Sequence, residues 1–156
     1  MISKKVPILA PVMYVKNSRE ILSSLLKTTQ MGQLGIRSVL SGTMDPGLRK
    51  ALESQLREYD AIETEAHTLA SRRGWELREL DPALRTMTDM MTRMRLSGKN
   101  TESKIADMMI QGNTKGMVKS LKSLHRYPSA DHQVQCLAQK LLDCETANIR
   151  QMEPYL

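Results

Sequence analysis

The chain has 156 residues, a formal net charge of +6 at pH 7, no phenylalanine, one tryptophan and twelve methionines. This length predicts one domain with one core, and no apolar run approaches the roughly 20 residues that a helix needs to cross a bilayer. A core of leucine, isoleucine and methionine is more typical of packed helices than of a sheet, because methionine favours helix and fits irregular gaps.

The N-terminal residues 1–16 contain two prolines and predict an extended arm that packs on the body of the protein or on a partner. The stretch is short and lacks a small-residue cleavage site before NSRE, so we do not interpret it as a signal peptide. Asn17, followed by Glu20, resembles a capping box and is expected to begin a single folded domain, residues 17–156.

Start and stop signals predict five helices and no strand. The second helix has the clearest signals, because Asp45 is a favourable N-cap, Pro46 suits the first helical position and Gly74 can end the helix. The expected bounds, in chain order, are Ser18–Ser41, Pro46–Arg73, a short helix from Asp81-Pro82 to Gly98, Glu102–Arg126 capped by Thr101, and Ala130–Glu153 capped by Ser129.

The two cysteines, Cys136 and Cys144, lie in one predicted helix. At a rise of about 1.5 Å per residue they are about 12 Å apart along the helix axis, which is too far for a disulfide. We therefore expect two buried, reduced thiols in a cytoplasmic protein.

Four of the predicted helices are long, and short turns join the first to the second and the fourth to the fifth. Helices joined in this way pack as antiparallel neighbours. The spacer between the two pairs is long enough to run the length of the bundle, and we expect it to let the fourth helix begin at the end where the first helix begins. Two hairpins joined by a long crossover is the connectivity of a ferritin-like bundle.

With the blocks REYDAIETEAHTLASRRGW and KLLDCETANIRQME, this pattern resembles the ferritin-like superfamily. More narrowly, it is similar to small proteins of Gram-positive bacteria that are distantly related to rubrerythrin-type domains and spore coat proteins. The resemblance covers Ser18–Leu156. It implies an all-α, antiparallel four-helix bundle whose long crossover carries a short fifth helix, and a role in spore or stress physiology.

The resemblance also implies a di-iron site, with Glu from two helices and Glu-x-x-His from the other two. Glu63 lies beside the apolar stripe of the second helix, but Ala66 stands three residues later, where the pattern needs histidine. The imidazole belongs to His67, and one residue turns a side chain by about 100° around a helix. Glu145 on the fifth helix is followed three residues later by Asn148 in place of histidine.

The other inner positions carry neutral side chains, which cannot bridge two metal ions as a carboxylate does. We therefore expect a hydrogen-bonded polar cluster in place of a di-iron centre, because buried polar groups need partners. The residues of this inner polar cluster are Gln33, Tyr59, Asn113 and Asn148.

Two further features leave alternatives open. Glu63, His67 and Glu145 could bind a single iron or zinc ion if they converge, but His67 alone at the bundle edge would bond a neighbouring side chain. A basic row on the fourth helix could contact phosphates of nucleic acid, although no aromatic residues interleave it and an ordinary solvated face is the simpler interpretation. The row consists of Lys115, Lys119, Lys122 and Arg126.

Two more patterns bear on packing. Gly112 and Gly116 predict a close approach of two helix backbones, at a cost in helix propensity. The third helix carries an apolar stripe that either forms an adaptable partner-binding groove or packs the crossover onto the bundle, and we favour the packing role. The stripe consists of Leu84, Met87, Met90, Met91 and Met94.

The leading functional hypothesis is a non-catalytic, cytoplasmic, ferritin-like protein without a cofactor. It would act through self-association, as a homodimer or higher homo-oligomer, or through a protein partner, with neither membrane insertion nor nucleic-acid binding. The alternative is a ferritin-like oxidase or storage protein that uses iron or zinc at a shifted site.

Overall fold

The computed structural model describes residues 10–128 and 130–156, and this part of the chain contains helices and no strand. The all-α class predicted from the sequence is therefore confirmed. The helices are α1 (Ala10–Leu40), α2 (Pro46–Arg73), α3 (Ala83–Leu96), α4 (Thr101–Arg126) and α5 (His132–Met152), followed by a 3₁₀ turn at Glu153–Tyr155.

Helix α2 begins and ends at the predicted residues. The Asp45 carboxylate accepts a hydrogen bond of 3.0 Å from the backbone N–H of Leu48. Pro46 occupies the first turn, where a backbone N–H has no partner within the helix, so its missing N–H costs no hydrogen bond. Gly74 ends the helix in the left-handed conformation, with φ of 68°, which glycine adopts without steric cost.

The predicted extended arm is wrong for the part that the structure describes, because α1 already begins at Ala10. A proline in the first helical turn is tolerated, so Pro11 does not interrupt the helix. Asn17 and Glu20 consequently lie inside α1 and cap nothing. Residues 1–9 of the predicted arm lie outside the described residues.

The caps of the last two long helices also differ from the prediction. Asn100, with φ of 61°, precedes α4, and Thr101 is the first helical residue. Asp131 caps α5 by accepting hydrogen bonds from the N–H groups of Gln133 and Val134, at 2.8 and 3.3 Å. The predicted cap Ser129 lies outside the described residues.

Helices α1, α2, α4 and α5 enclose one core, with α3 packed outside against α1 and α4. The innermost side chains are aliphatic, as the composition suggested. Those fully buried include Leu22, Leu26, Ile36, Leu48, Leu52, Ile62, Ile105, Leu141 and Met152.

Hydrogen bonds at the two ends of the molecule fix the helix directions. The Asp45 N–H donates to the Glu102 carboxylate, at 2.9 Å, which places the start of α4 beside the turn between α1 and α2. The prediction that the fourth helix begins beside the start of the first is therefore wrong. Because α2 has already returned the chain to the start of α1, a full-length crossover carries it back to the end where α2 began.

The opposite end is held together by Asp131. Its carboxylate lies 2.6 Å from Nη1 of Arg73, at the end of α2, and accepts a hydrogen bond of 3.3 Å from the hydroxyl of Tyr14, near the start of α1. The Asp131 N–H in turn donates to the Ser18 hydroxyl, at 2.8 Å. One buried carboxylate therefore caps α5 and joins it to both α1 and α2.

Helix α3 packs through threonines and leaves methionines outside. Thr92 is buried, and the Ser38 hydroxyl of α1 donates to the Asp89 carboxylate at 2.7 Å. Three methionines of the predicted stripe are instead 50–61% exposed, namely Met87, Met90 and Met91. The prediction that this stripe packs the crossover onto the bundle is wrong for these three, and the side chain of Met94 lies outside the described residues.

Two other expectations were tested by the fold. Cys136 is exposed and Cys144 is partly buried, so the expected burial of both thiols is wrong, while neither forms a disulfide.

Within the part of the chain described, no helix combines the length and the apolar character that crossing a bilayer requires.

The two aspartate caps provide a matched test of this fold. We expect Asp45→Ala to lower the free energy of unfolding by about 1 kcal/mol, the usual contribution of a side-chain cap. Asp131→Ala should cost about 2–3 kcal/mol, because it also removes the partner of Arg73. Chemical denaturation measures both losses, and equal losses would contradict the joining role of Asp131. Asp131→Asn, which keeps a capping oxygen but no charge, should fall between them.

Candidate functional site

The three residues considered as a metal site lie in three different surroundings. Glu63 is half-buried and accepts hydrogen bonds from the amides of Gln30 and Gln33, at 3.2 and 3.4 Å. His67 is exposed, with Nε2 3.2 Å from the Glu79 carboxylate, whereas Glu145 is 1% exposed in the core. The displacement of the imidazole by one residue has turned it away from the bundle interior, as the helix geometry requires.

The donor set therefore does not fit a metal ion. Within residues 10–128 and 130–156, no group of three or more His, Cys, Asp or Glu side chains is arranged to hold one. Neutral amides and a phenol surround Glu145, and hard cations prefer several carboxylate oxygens.

Three residues of the predicted inner polar cluster are brought together. The Tyr59 hydroxyl donates to Oδ1 of Asn113 at 2.9 Å, and the Asn148 amide donates to the same oxygen at 3.3 Å and to the Tyr59 hydroxyl at 3.4 Å. The Asn113 amide donates to the Met109 carbonyl at 2.7 Å. Gln33 is not part of this cluster, because its amide donates to the carboxylates of Asp60 and Glu63 between α1 and α2.

Glu145 lies beside the cluster but has no partner in it. Neither carboxylate oxygen accepts or donates a hydrogen bond within the described part of the chain, although the side chain is buried. Burial raises the pKa of Glu145 to about 8. Burial also raises the pKa of the Tyr59 hydroxyl, and it raises the pKa of Cys144 to about 12. The Cys144 thiol donates a hydrogen bond to the Glu58 carboxylate. Glu145 is therefore mostly protonated at neutral pH.

A cleft of about 280 Å³ lies between α1, α3 and α4 and reaches Glu145. Four of its lining residues are glycines, and we call it the glycine-lined cleft. A Cβ at position 32 would lie 2.6 Å from Cζ of Tyr59, and one at position 116 would lie 2.6 Å from each carboxylate oxygen of Glu145. A Cβ at position 112 would meet nothing within 4 Å and would lie in open space. The four are Gly32, Gly35, Gly112 and Gly116.

The walls and the mouth of the cleft differ in character. Met31, Met108 and Met109 give apolar walls, and threonines of α1 and α3 add hydroxyl groups. The lining also includes the exposed basic residues Arg95, Lys115 and Lys119, whereas Glu145 is fully buried. The cleft therefore runs from a basic mouth to a buried carboxyl group.

This cleft was not predicted from the sequence. Gly112 and Gly116 were expected to bring two helix backbones together, yet Gly116 faces the Glu145 side chain and Gly112 faces open space. The available signal was the combination of paired glycines on two helices with a carboxyl residue on an apolar face. Lys122 and Arg126 continue the predicted basic row as exposed residues beyond the cleft, and nucleic-acid contact by that row stays a prediction.

No protein-family model matches the chain, and no curated protein is significantly similar in sequence. Among solved structures, the chain is similar to a crystal structure of a DUF305 fragment from Deinococcus radiodurans, with a TM-score of 0.70 and 16% sequence identity. The similarity covers 88% of this chain and 93% of that one. At this level of identity, the similarity shows a shared helical fold and no shared function.

Two glycines of the cleft should respond oppositely to alanine. Gly112→Ala should raise the free energy of unfolding by about 0.5–1 kcal/mol, because the methyl group meets only open space and alanine favours helix. Gly32→Ala should lower it by about 1–3 kcal/mol, because the methyl group displaces the Tyr59 ring from Asn113. Thermal or chemical unfolding measures both changes. Stabilisation by both substitutions would contradict the close contact at Gly32.

The raised pKa of Glu145 predicts a pH-dependent stability. The folded protein keeps a proton on Glu145 between the ordinary pKa of 4.5 and about 8, while the unfolded chain releases it. The free energy of unfolding should therefore fall as pH rises through this window, by up to about 1.4 kcal/mol per pH unit. The difference in unfolding free energy between Glu145→Gln and the wild type should grow over the same range. Parallel pH profiles for the two proteins would contradict this assignment.

Proposed function

We propose that the chain is a ferritin-like four-helix bundle that acts by association rather than catalysis, and that it forms a homodimer through α3. The connectivity supports the ferritin-like assignment, because two antiparallel hairpins are joined by a crossover that runs the length of the bundle. The crossover carries α3 on the outside, where it is accessible to a second copy.

The methionine face of α3 is the observation that carries this proposal. An amphipathic helix normally buries its apolar face, but α3 turns Met87, Met90 and Met91 away from the core. We call these three residues the methionine face. Contiguous exposed apolar residues are typical of interaction sites, and methionine adapts its shape to an opposing surface.

The charges along α3 favour a second copy as the occupant. Asp81 precedes the helix, and the last turn contains Arg93 and Arg95. A two-fold axis perpendicular to α3 at the methionine face would place two α3 helices antiparallel, with the basic end of each opposite the acidic start of the other. Such a contact is complementary to itself, which a homodimer requires.

A metal-dependent oxidase or storage protein is the competing function. It would need iron or zinc, and the separation of Glu63, His67 and Glu145 leaves no such ligand set among the described residues. Association is therefore the better-supported function. We also infer a cytoplasmic location, where the exposed thiol of Cys136 would remain reduced.

Substitution of the methionine face tests the proposal. The variant Met87→Gln/Met90→Gln/Met91→Gln should weaken dimerisation at least tenfold, because each buried methionine contributes about 1.5–3 kcal/mol when fully covered. Sedimentation equilibrium over a wide concentration range measures the dissociation constant.

Two further variants complete this test. Val118→Gln/Leu121→Gln changes exposed apolar residues of α4 and should leave dimerisation unchanged. Arg93→Glu should weaken dimerisation more at low salt than at high salt, since it removes complementary charge. A strictly monomeric wild type, or equal losses in the α3 and α4 variants, would overturn the proposal.

A further inference from the structure

We propose that the glycine-lined cleft binds a small elongated molecule with a primary ammonium group at one end and an anionic group at the other. The ammonium group would pair with Glu145, and the anionic group would lie at the basic mouth. This inference is independent of pairing through α3, although α3 forms one wall of the cleft.

The unpartnered carboxyl group of Glu145 indicates which chemical group the inner end of the ligand carries. Buried polar groups are almost always hydrogen-bonded, and both oxygens of Glu145 lack a partner in the described part of the chain. Its neighbours Tyr59, Asn113 and Asn148 already bond one another. Glu145 is one of the residues that line the cleft, where its carboxyl group packs against Gly116 and its oxygens are fully buried. An ammonium group would therefore reach these oxygens through a small shift of the lining side chains. An ammonium group offers several donors and a compensating charge.

The basic residues at the mouth of the cleft indicate which chemical group the outer end of the ligand carries. Arg95, Lys115 and Lys119 line the cleft but are exposed, and none of them forms an ion pair with Glu145 in the described structure. These cations disfavour a ligand that is positively charged at both ends. They favour a carboxylate or phosphate at the end that remains near solvent.

Volume and wall chemistry limit the middle of the ligand. A cleft of about 280 Å³ has room for about nine water molecules at about 30 Å³ each, and hence for a ligand with a similar number of non-hydrogen atoms. The thioether side chains of Met31, Met108 and Met109 suit an aliphatic chain. An ω-amino acid of about six carbons meets all three requirements.

Four related probes test the assignment at pH 8.5 by isothermal titration calorimetry. They are 6-aminohexanoate, hexylamine, hexanoate and 1,6-diaminohexane. We expect 6-aminohexanoate to bind most tightly and hexylamine to bind at least tenfold more weakly, since it lacks the anionic end. Hexanoate binding as tightly as 6-aminohexanoate would overturn the ammonium assignment, and tighter binding of 1,6-diaminohexane would overturn the role of the mouth. Saturation by none of the four would overturn the site.

Variants of the cleft separate binding from folding. Gly112→Leu places its Cβ in open space and should abolish binding by filling the cleft, while the circular dichroism spectrum and cooperative unfolding are retained. Glu145→Gln should weaken the binding of 6-aminohexanoate at least tenfold. Lys119→Ala should weaken the binding of 6-aminohexanoate but not that of hexylamine. Lys122 does not line the cleft, so Lys122→Ala should change the binding of neither. Unchanged binding by Gly112→Leu or Glu145→Gln would overturn the proposal.

The pH dependence of hexylamine binding provides a readout specific to Glu145. Affinity should rise about tenfold per pH unit between pH 6 and pH 8, because Glu145 must ionise to pair with the ammonium group. Tyr59 and Cys144 also face this region, but burial raises the pKa of both further, so neither titrates in this range. The remaining charged groups lining the cleft are Arg95, Lys115 and Lys119. A flat profile would overturn the pairing.

The experiment also distinguishes this site from the proposed dimer. The methionine-face variant, if monomeric, should still bind 6-aminohexanoate, and Gly112→Leu should still dimerise. Complete loss of ligand binding in the methionine-face variant despite intact folding would overturn the proposal that one chain forms the site by itself.

Discussion

The burial of one carboxyl group constrains the centre of this molecule. A charged carboxylate in an apolar interior is costly, so Glu145 has to be neutral, paired or hydrated. In the described part of the chain its neighbours offer no hydrogen bond, and Glu145 is one of the residues that line the glycine-lined cleft. Gly116 and Glu145 therefore depend on each other, because any side chain at position 116 would occupy the space of the carboxyl group.

Glycines on two helices form this space at a cost in helix stability, since each interior glycine is less favourable than alanine by about 0.5–1 kcal/mol. Stabilising features lie at the ends of the bundle. Asp45 and Asp131 cap α2 and α5, and Asp131 also joins three helices through Arg73 and Tyr14. The interactions at the two ends therefore offset part of the cost of the glycines in the middle of the bundle.

Some local parts of this fold, the caps of α2 above all, follow from the sequence, whereas the start of α1 and the parts that depend on neighbouring helices do not. Caps such as Asp45 and Gly74 act within a few residues, so the bounds of α2 were predicted correctly. Periodicity shows that α3 has an apolar face but not which face is covered, and here Thr92 is buried while Met90 is exposed. Likewise, Tyr59, Asn113 and Asn148 could be grouped as inward polar residues, whereas the cleft beside them depends on how α1 and α4 are spaced.

Helix α3 connects the two proposed binding events, because its two faces serve different surfaces. Thr88, Thr92 and Arg95 line the glycine-lined cleft, while Met87, Met90 and Met91 point away from it. If α3 moves relative to α1 and α4, a contact on one of its faces would change the position of the residues on the other face. If the ligand prefers the conformation in which α3 is closely packed, ligand binding would raise the affinity of the dimer. Dimerisation would then raise the affinity for the ligand by the same factor. Because α3 packs through a few polar contacts such as the hydrogen bond between Ser38 and Asp89, it is the helix best suited to such small shifts.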